Sequence, residues 1–330
     1  MKKIYYSTAT LIIAIILIAN SAQPGIWNAG GSGSFQLLYP EDSIAYKKIQ
    51  MKSERIFMQL YNGYAVVKGT YNFYNTTKDT LSIKVGYPVN NVFKNIKPHH
   101  KLNQVRVDGL YMVRGQVNDS IVPLYKKPNT ENDNWYVWNI KYPPKKITKF
   151  TVYFLVNTNN AQIINGYNKD YKNAFIYLIE TGFLWKSPIE KGEFYTELKE
   201  DFFVKNLRGN APTTLQINND KNILQFVMTN YGKSPDNNFI LTYGEEIPNF
   251  NFKQVTKKSD SLFSVINDFS KTNFNDLSFN NINLKSPYKT DSKSGNTVGF
   301  LYLLLYYGIP ILIIVFTIVL FIWLFKKFKQ

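Results

Sequence analysis

The chain has 330 residues, with 39 lysines and arginines against 23 acidic residues, a net charge of +16, and no cysteine. The missing thiol excludes disulfide staples, thiol catalysis and cysteine-ligated metal, so any folded part must stand on its core alone, which this length permits. A charge of this size suits nucleic acid when the cations form a stripe. Here they are scattered among Asn, Tyr and Ile, and the sorting signals described next separate the protein from most nucleic acid.

Lys2 and Lys3 precede an apolar run, Ile4–Ala19, that ends at Asn20, Ser21 and Pro24. In a helix at about 1.5 Å per residue the run reaches roughly 24 Å, short of a hydrocarbon core of about 30 Å. That order predicts a signal peptide over 1–22, with Ala19 and Ser21 at the small-residue positions of a cleavage site and an uncleaved anchor as the alternative. No cysteine follows, which excludes a lipoprotein. Residues 23–45, opening with Gly, Ser, Asn and Pro, read as a flexible opening segment.

From Glu54 to Tyr61 the apolar Ile56, Met58 and Leu60 alternate with polar or smaller residues, the period of a half-buried strand. Asn62-Gly63 predicts a hairpin turn with positive φ at both positions, returning through Tyr64–Tyr74 with Val67, Tyr71 and Phe73 on one face. Leu81, Ile83, Val85 and Tyr87 give a third strand, stopped by Pro88. Asp108-Gly109, between Val105 and Val107 on one side and Leu110 and Met112 on the other, predicts a second hairpin. Trp135–Tyr142 and Ile147–Asn157 form another pair of strands across the bend at Pro143, Pro144 and Lys145. After Gly166 the pattern restarts, with strands at Phe175–Ile179, Glu193–Leu198, Ile223–Met228 and Phe239–Tyr243. The expected fold class is mostly β: antiparallel β-sandwiches in two subdomains, 46–165 and 166–250, plus one C-terminal transmembrane helix.

Helical spacing occurs once in the exported part, at Leu262, Val265, Ile266 and Phe269, with Ser259 and Asp260 as candidate caps. Its surroundings, 251–297, are rich in Asn, Ser, Lys and Asp and read as a polar tether; as a flexible coil the stretch would span roughly 40 Å. Val298–Phe325 holds no charged residue and is closed by Lys326, Lys327 and Lys329. That predicts a membrane span with Tyr302, Tyr306, Tyr307 and Trp323 in the aromatic belts. The lysines place the tail, 326–330, in the cytoplasm and the bulk of the chain outside the inner membrane. Pro310, after Gly308, is expected to kink the helix. Of the 39 basic residues, two lie in the signal and three in the tail; the remaining 34 face 23 acids, a net of +11 for the exported part. Anionic membrane surface or acidic glycan is the partner class that fits.

Several segments are similar, in order, to an uncharacterised bacterial exported family catalogued as domain of unknown function 4424. They are E-D-S-I-A at Glu41–Ala45, M-K-S-E-R-I-F-M-Q-L at Met51–Leu60, Y-N-F-Y-N at Tyr71–Asn75, V-G-Y-P at Val85–Pro88, W-N-I-K-Y-P at Trp138–Pro143 and Y-L-I-E-T-G-F-L-W-K-S-P-I at Tyr177–Ile189. Tyr87 departs from the family's usual Phe. The early segments also resemble the N-terminal β-sandwich of vault and inter-alpha-trypsin proteins. The resemblance implies a β-sandwich and brings no activity with it.

Chemistry-bearing residues are few. His99 and His100 are the only histidines, and adjacent residues of a strand face opposite ways, a poor geometry for one metal ion. No G-x-S-x-G elbow accompanies them, which argues against acyl transfer. Asn129, Glu131 and Asp133 alternate like calcium ligands but lack the central Gly and the distal Glu. Glu190, Glu193, Glu197, Glu200 and Asp201 could supply paired carboxylates, although solvated strand charges explain them as well. Trp135, Trp138, Tyr136 and Tyr142 suit either a stacking platform or a core, and Trp185 reads as a buried anchor between the subdomains. The resulting expectation is a non-catalytic, membrane-anchored module that takes no cofactor or metal and binds an envelope protein or glycan. The alternative is a carboxylate-dependent, glycan-directed envelope hydrolase.

Overall fold

The structure, a computed structural model, describes residues 43–88, 103–125, 135–165, 168–177, 179, 185–200, 202, 204–231, 238–289, 301 and 304–327. The expected signal peptide at 1–22, His99, His100 and the Asn129, Glu131 and Asp133 cluster lie outside them.

The chain is mostly β. After a single helical turn, α1 (Ser43–Tyr46), come β1 (Ile49–Tyr61), β2 (Tyr64–Asn75), β3 (Leu81–Pro88), β4 (Asn103–Val117), β5 (Ser120–Val122), β6 (Trp135–Tyr142) and β7 (Ile147–Asn165). β8 (Asn168–Tyr177), β9 (Ile189–Leu198), β10 (Arg208–Asn210), β11 (Gln216–Asn218), β12 (Ile223–Tyr231) and β13 (Phe239–Glu245) follow. Helices α2 (Phe252–Lys257) and α3 (Ser259–Phe269), the two-residue β14 (Asn280–Asn281) and the terminal helix α4 (Ile309–Lys327) complete the order.

The sequence reading places two sandwiches here; the strands instead share one curled sheet, a half-barrel. Its order is β10-β13-β8-β7-β2-β1-β9-β12-β11-β14, with β4 and β5 attached through β7. The boundary expected after residue 165 falls at the tip of the β7–β8 hairpin, where Asn165 opposes Asn168. β9 joins β1 in parallel, the one parallel pair among the named strands, from Ser53↔Lys191 to Leu60↔Leu198. Strands assigned from sequence to different subdomains are therefore hydrogen-bonded neighbours.

Alternation along each strand sends one side chain set inward and the other outward. Ile56, Met58 and Leu60 of β1, Val67, Tyr71 and Phe73 of β2, and Phe150, Val152 and Phe154 of β7 line the inner core with Phe194, Phe226, Phe175 and Phe239. The curl brings distant strands into contact: Phe226 of β12 and Phe239 of β13, far apart in the sheet order, have ring centroids 5.1 Å apart. The two-stranded sheet β3–β6 covers part of this face. Trp138 of β6 packs edge-on against Phe150 at 5.2 Å. It sits so close over Gly115 that a Cβ there would lie 2.5 Å from its Nε1. Asn75, fully buried, ties the sheets together by donating to the Asp79 and Tyr142 carbonyls at 2.8 and 2.9 Å.

The Asn62-Gly63 hairpin forms, with Tyr61 opposite Tyr64, but only Gly63 takes positive φ, at 86°. A side chain at Gly63 is also blocked by the Phe250 ring, 2.6 Å from the Cβ position. The second hairpin expected at Asp108-Gly109 is a bulge. β4 runs straight through it, paired along the 19-residue β7, with register shifts on either side of Asp108. Its real turn is Asn118-Asp119, both at positive φ (47° and 66°), which leads into β5.

The expected tether is docked over most of its length. Phe263, Ile266 and Phe269 of α3, with Phe274, form a second core with Phe57, Val66, Leu155 and Tyr195 on the outer face of the sheet. Helical spacing is correct there, although Val265 points outward and Lys258 precedes the helix with no side-chain cap. Beyond it, Asn280 and Asn281 extend the sheet beside β11, and Lys285 bridges to Arg208 of β10. Residues 280–285 thus touch both ends of the strand order, and Ile282, Leu284 and Tyr288 pack into the inner core.

Leu304–Phe325 forms a 22-residue helical segment of mean hydropathy 2.9, with no residue of its apolar stretch buried. Its first turn, Leu304–Gly308, is a π-helix that ends two residues before Pro310. The proline has no N–H to bond the carbonyl four residues back, which loosens the ladder at that turn. Thr317 satisfies its hydroxyl by donating to the Ile313 carbonyl.

Candidate functional site

The described carboxylates singled out from sequence lie along β9 and at its end, each engaged by a neighbouring side chain or amide. Glu190 is ion-paired with Lys52. Glu193 faces Arg55 at 3.4 Å and Lys191 at 3.2 Å, and accepts from the Tyr195 hydroxyl at 3.1 Å. Glu197 accepts from Gln59 Nε2 at 2.6 Å and pairs with Lys199 at 3.1 Å. Glu200 accepts the Asn62 amide at 3.0 Å, which ties it to the hairpin turn. Asp201 lies outside the described residues. Each described acid has a local structural partner from a neighbouring strand or turn.

The tryptophans divide. Trp138 is fully buried in the inner core. Trp185 is buried as well, 4.5 Å from the Phe73 ring and 5.2 Å from Tyr46. Trp135 opens β6 opposite Pro88. Tyr142 is buried and Tyr136 donates to the Leu110 carbonyl at 3.3 Å. Trp138, Tyr142 and Trp185 are core members, so the first two are not available to a stacking platform. Lys326 and Lys327 close α4, and Lys329 lies outside the described residues.

A different site emerges on the outer face. Helix α3 docks over β2 and β7 and leaves a groove of about 620 Å³ between itself, β4, β5 and the Asn118-Asp119 turn. At its base stands Lys68, whose strand position sends it outward, on the face it shares with Val66, toward the helix. Its ammonium donates to Asn267 Oδ1 at 2.7 Å and Ser270 Oγ at 2.8 Å, and lies 5.5 Å from the centre of the Tyr153 ring. Burial lowers its pKa to about 8, assisted by the neighbouring Lys149 charge. Among the described residues no carboxylate lies within ion-pair distance of Lys68. Tyr153 also donates to Asn267 Oδ1, at 3.3 Å, and burial raises its own pKa.

Around this base, Arg114 pairs with Asp260 at 2.6 Å while its guanidinium covers the Phe263 ring at 4.9 Å. Lys149 pairs with Asp119 at 2.8 Å, and Lys271 with Asp268 at 2.8 Å. Four cations therefore line the groove against two carboxylates, Asp119 and Asp260, and hydroxyl and amide groups fill the spaces between them. Such exposed pairs contribute little each, about 0–1 kcal/mol, so an incoming anion can exchange with them. Sequence reasoning gives none of these residues a binding role, Asp260 entering it only as a candidate helix cap. Lys68 inside the otherwise apolar Y-A-V-V-K-G-T is a visible irregularity, but its meaning depends on a helix 199 residues further on.

No family model and no curated protein matches the chain. Among solved structures it is similar to a Legionella pneumophila protein described provisionally as nutrient-binding, at 15% identity and TM-score 0.43 over 60% of this chain and 67% of that one. It is also similar to an M1 zinc metallopeptidase from Deinococcus radiodurans, at 9% identity and TM-score 0.33, over 59% of this chain. The chain spans 42% of that peptidase. Likeness at this level carries no function across.

Proposed function

We propose that the protein is an exported β module held at the inner membrane by the helix at Leu304–Phe325, and that it binds an envelope component without catalysing a reaction. The observation that carries the anchor is the helix itself: 22 residues long, strongly apolar, and with no residue of its apolar stretch buried. An apolar rod of that kind has no stable place in water, and its length suits a bilayer core of about 30 Å. The lysines at its C-terminal end orient it with the tail in the cytoplasm and the β half-barrel outside.

Binding, in preference to catalysis, follows from the inventory. The groove beside α3 offers cations, hydroxyls and amides held in place by other side chains. The acids of β9 are each engaged with a local cation or amide. Alkaline carbonate extraction of membranes tests the anchor: the full chain should stay in the pellet, and a chain ending at Thr297 should be released as folded protein. Release of the full chain would defeat the reading.

A further inference from the structure

The groove between α3 and the outer sheet face is a built site whose chemistry can be narrowed. Its base is a cation already satisfied by two neutral oxygens, Asn267 Oδ1 and Ser270 Oγ, with one N–H left to give. Its walls carry Arg114, Lys149 and Lys271. Between the cations stand Gln116, Thr151, Ser264 and Asn267, all capable of hydrogen bonds to a polar ligand. The aromatic rings beneath, Tyr153 and Phe263, are buried and capped by Lys68 and Arg114, so the groove offers little flat apolar surface. The exposed apolar side chain at the rim is Ile121, 77% exposed.

We propose that this groove binds an acidic glycan, a polysaccharide whose sugars bear carboxylate or phosphate groups, with Lys68 and the rim cations taking the anions and the amides and hydroxyls taking sugar hydroxyls. A volume of about 620 Å³ falls within the ~300–1,000 Å³ typical of small-ligand clefts, enough for part of a saccharide chain. A bilayer surface is too flat to enter a recess under a helix, and an apolar peptide side chain would meet charge at every wall. The inference rests on the exported placement argued above, which alone brings the groove into contact with envelope polymers.

Calorimetric titration of the full-length protein in neutral phosphatidylcholine nanodiscs tests it. The probes are polygalacturonate oligomers, a phosphomannan, neutral dextran, poly-glutamate and phosphatidylglycerol vesicles. Binding of either charged glycan, with none to dextran, is expected, and which glycan binds identifies the anion. Lys68→Gln and Lys271→Glu should each weaken that binding at least tenfold, while Lys221→Gln, on the β11–β12 turn away from the groove, should leave it unchanged. The Lys271 side chain is 67% exposed, so its reversal tests the groove even where Lys68→Gln fails to fold. No binding to either charged glycan, equal binding by the groove variants, or equal binding of poly-glutamate or vesicles would overturn the assignment. The exported placement is read independently, by labelling of unique cysteines, so its failure and that of the glycan site are distinguishable.

Discussion

Glu54 on β1 points into the inner core, where it is buried and accepts a hydrogen bond of 2.5 Å from the Tyr231 hydroxyl. Burial raises its pKa from the ordinary 4.5 to about 7, even though the Tyr231 bond favours the charged form. The folded protein therefore holds this proton over a pH range in which the unfolded chain has released it. The stability Glu54 contributes is fully present below pH 4.5, declines as the pH rises, and is lost above about 7. At about 1.4 kcal/mol per pH unit, the swing is about 3 kcal/mol. Glu54→Gln keeps an acceptor for Tyr231 and removes the titration. Urea unfolding of wild type and variant, followed by tryptophan fluorescence from pH 4 to 8, reads the difference directly. The variant should gain on the wild type by about 3 kcal/mol between pH 4 and 8, whatever constant offset the amide introduces. A difference that stays flat across that range would refute a neutral, buried Glu54.

Other perturbations test the packing. Ile266→Ala removes a fully buried contact of α3 with the sheet and should cost about 2–5 kcal/mol in urea unfolding. Trp185→Ala should cost about 3–5 kcal/mol without selective loss of any ligand; a stable variant that has lost only binding would contradict its role as a core anchor. Gly115→Ala drives a methyl into the Trp138 indole and should cost about 1–3 kcal/mol, with a changed near-ultraviolet dichroism from the displaced tryptophan.

The local pattern was legible where the governing interactions are local. Alternation at Ile56, Met58 and Leu60 and at Ile83 and Val85 marks inward-facing strand positions, and the Asn62-Gly63 hairpin closes between its two strands. Pairing between distant segments left no such trace. β9 meets β1 across 138 residues, and nothing in either strand's alternation specifies a parallel partner. Asp108-Gly109 carries hairpin chemistry, yet the long β7 provides a continuous ladder past it, and a bulge absorbs the mismatch. The polar composition of 251–297 hid its anchors. Phe263, Phe274, Ile282 and Leu284 are too widely spaced to raise the local hydropathy, although each finds a place on the sheet. The groove failed to appear in the sequence for the same reason: Lys68 acquires Asn267 and Ser270 only after that segment docks.

Because the chain contains no cysteine, one introduced thiol at a time reports its own side of the membrane. Right-side-out spheroplasts expressing Ile121→Cys or Lys329→Cys, treated with a membrane-impermeant maleimide, measure the anchored, outward-facing arrangement most directly. Ile121→Cys should label in intact spheroplasts, and Lys329→Cys only after permeabilisation. Labelling of the tail from outside, with the groove position protected until lysis, would contradict it.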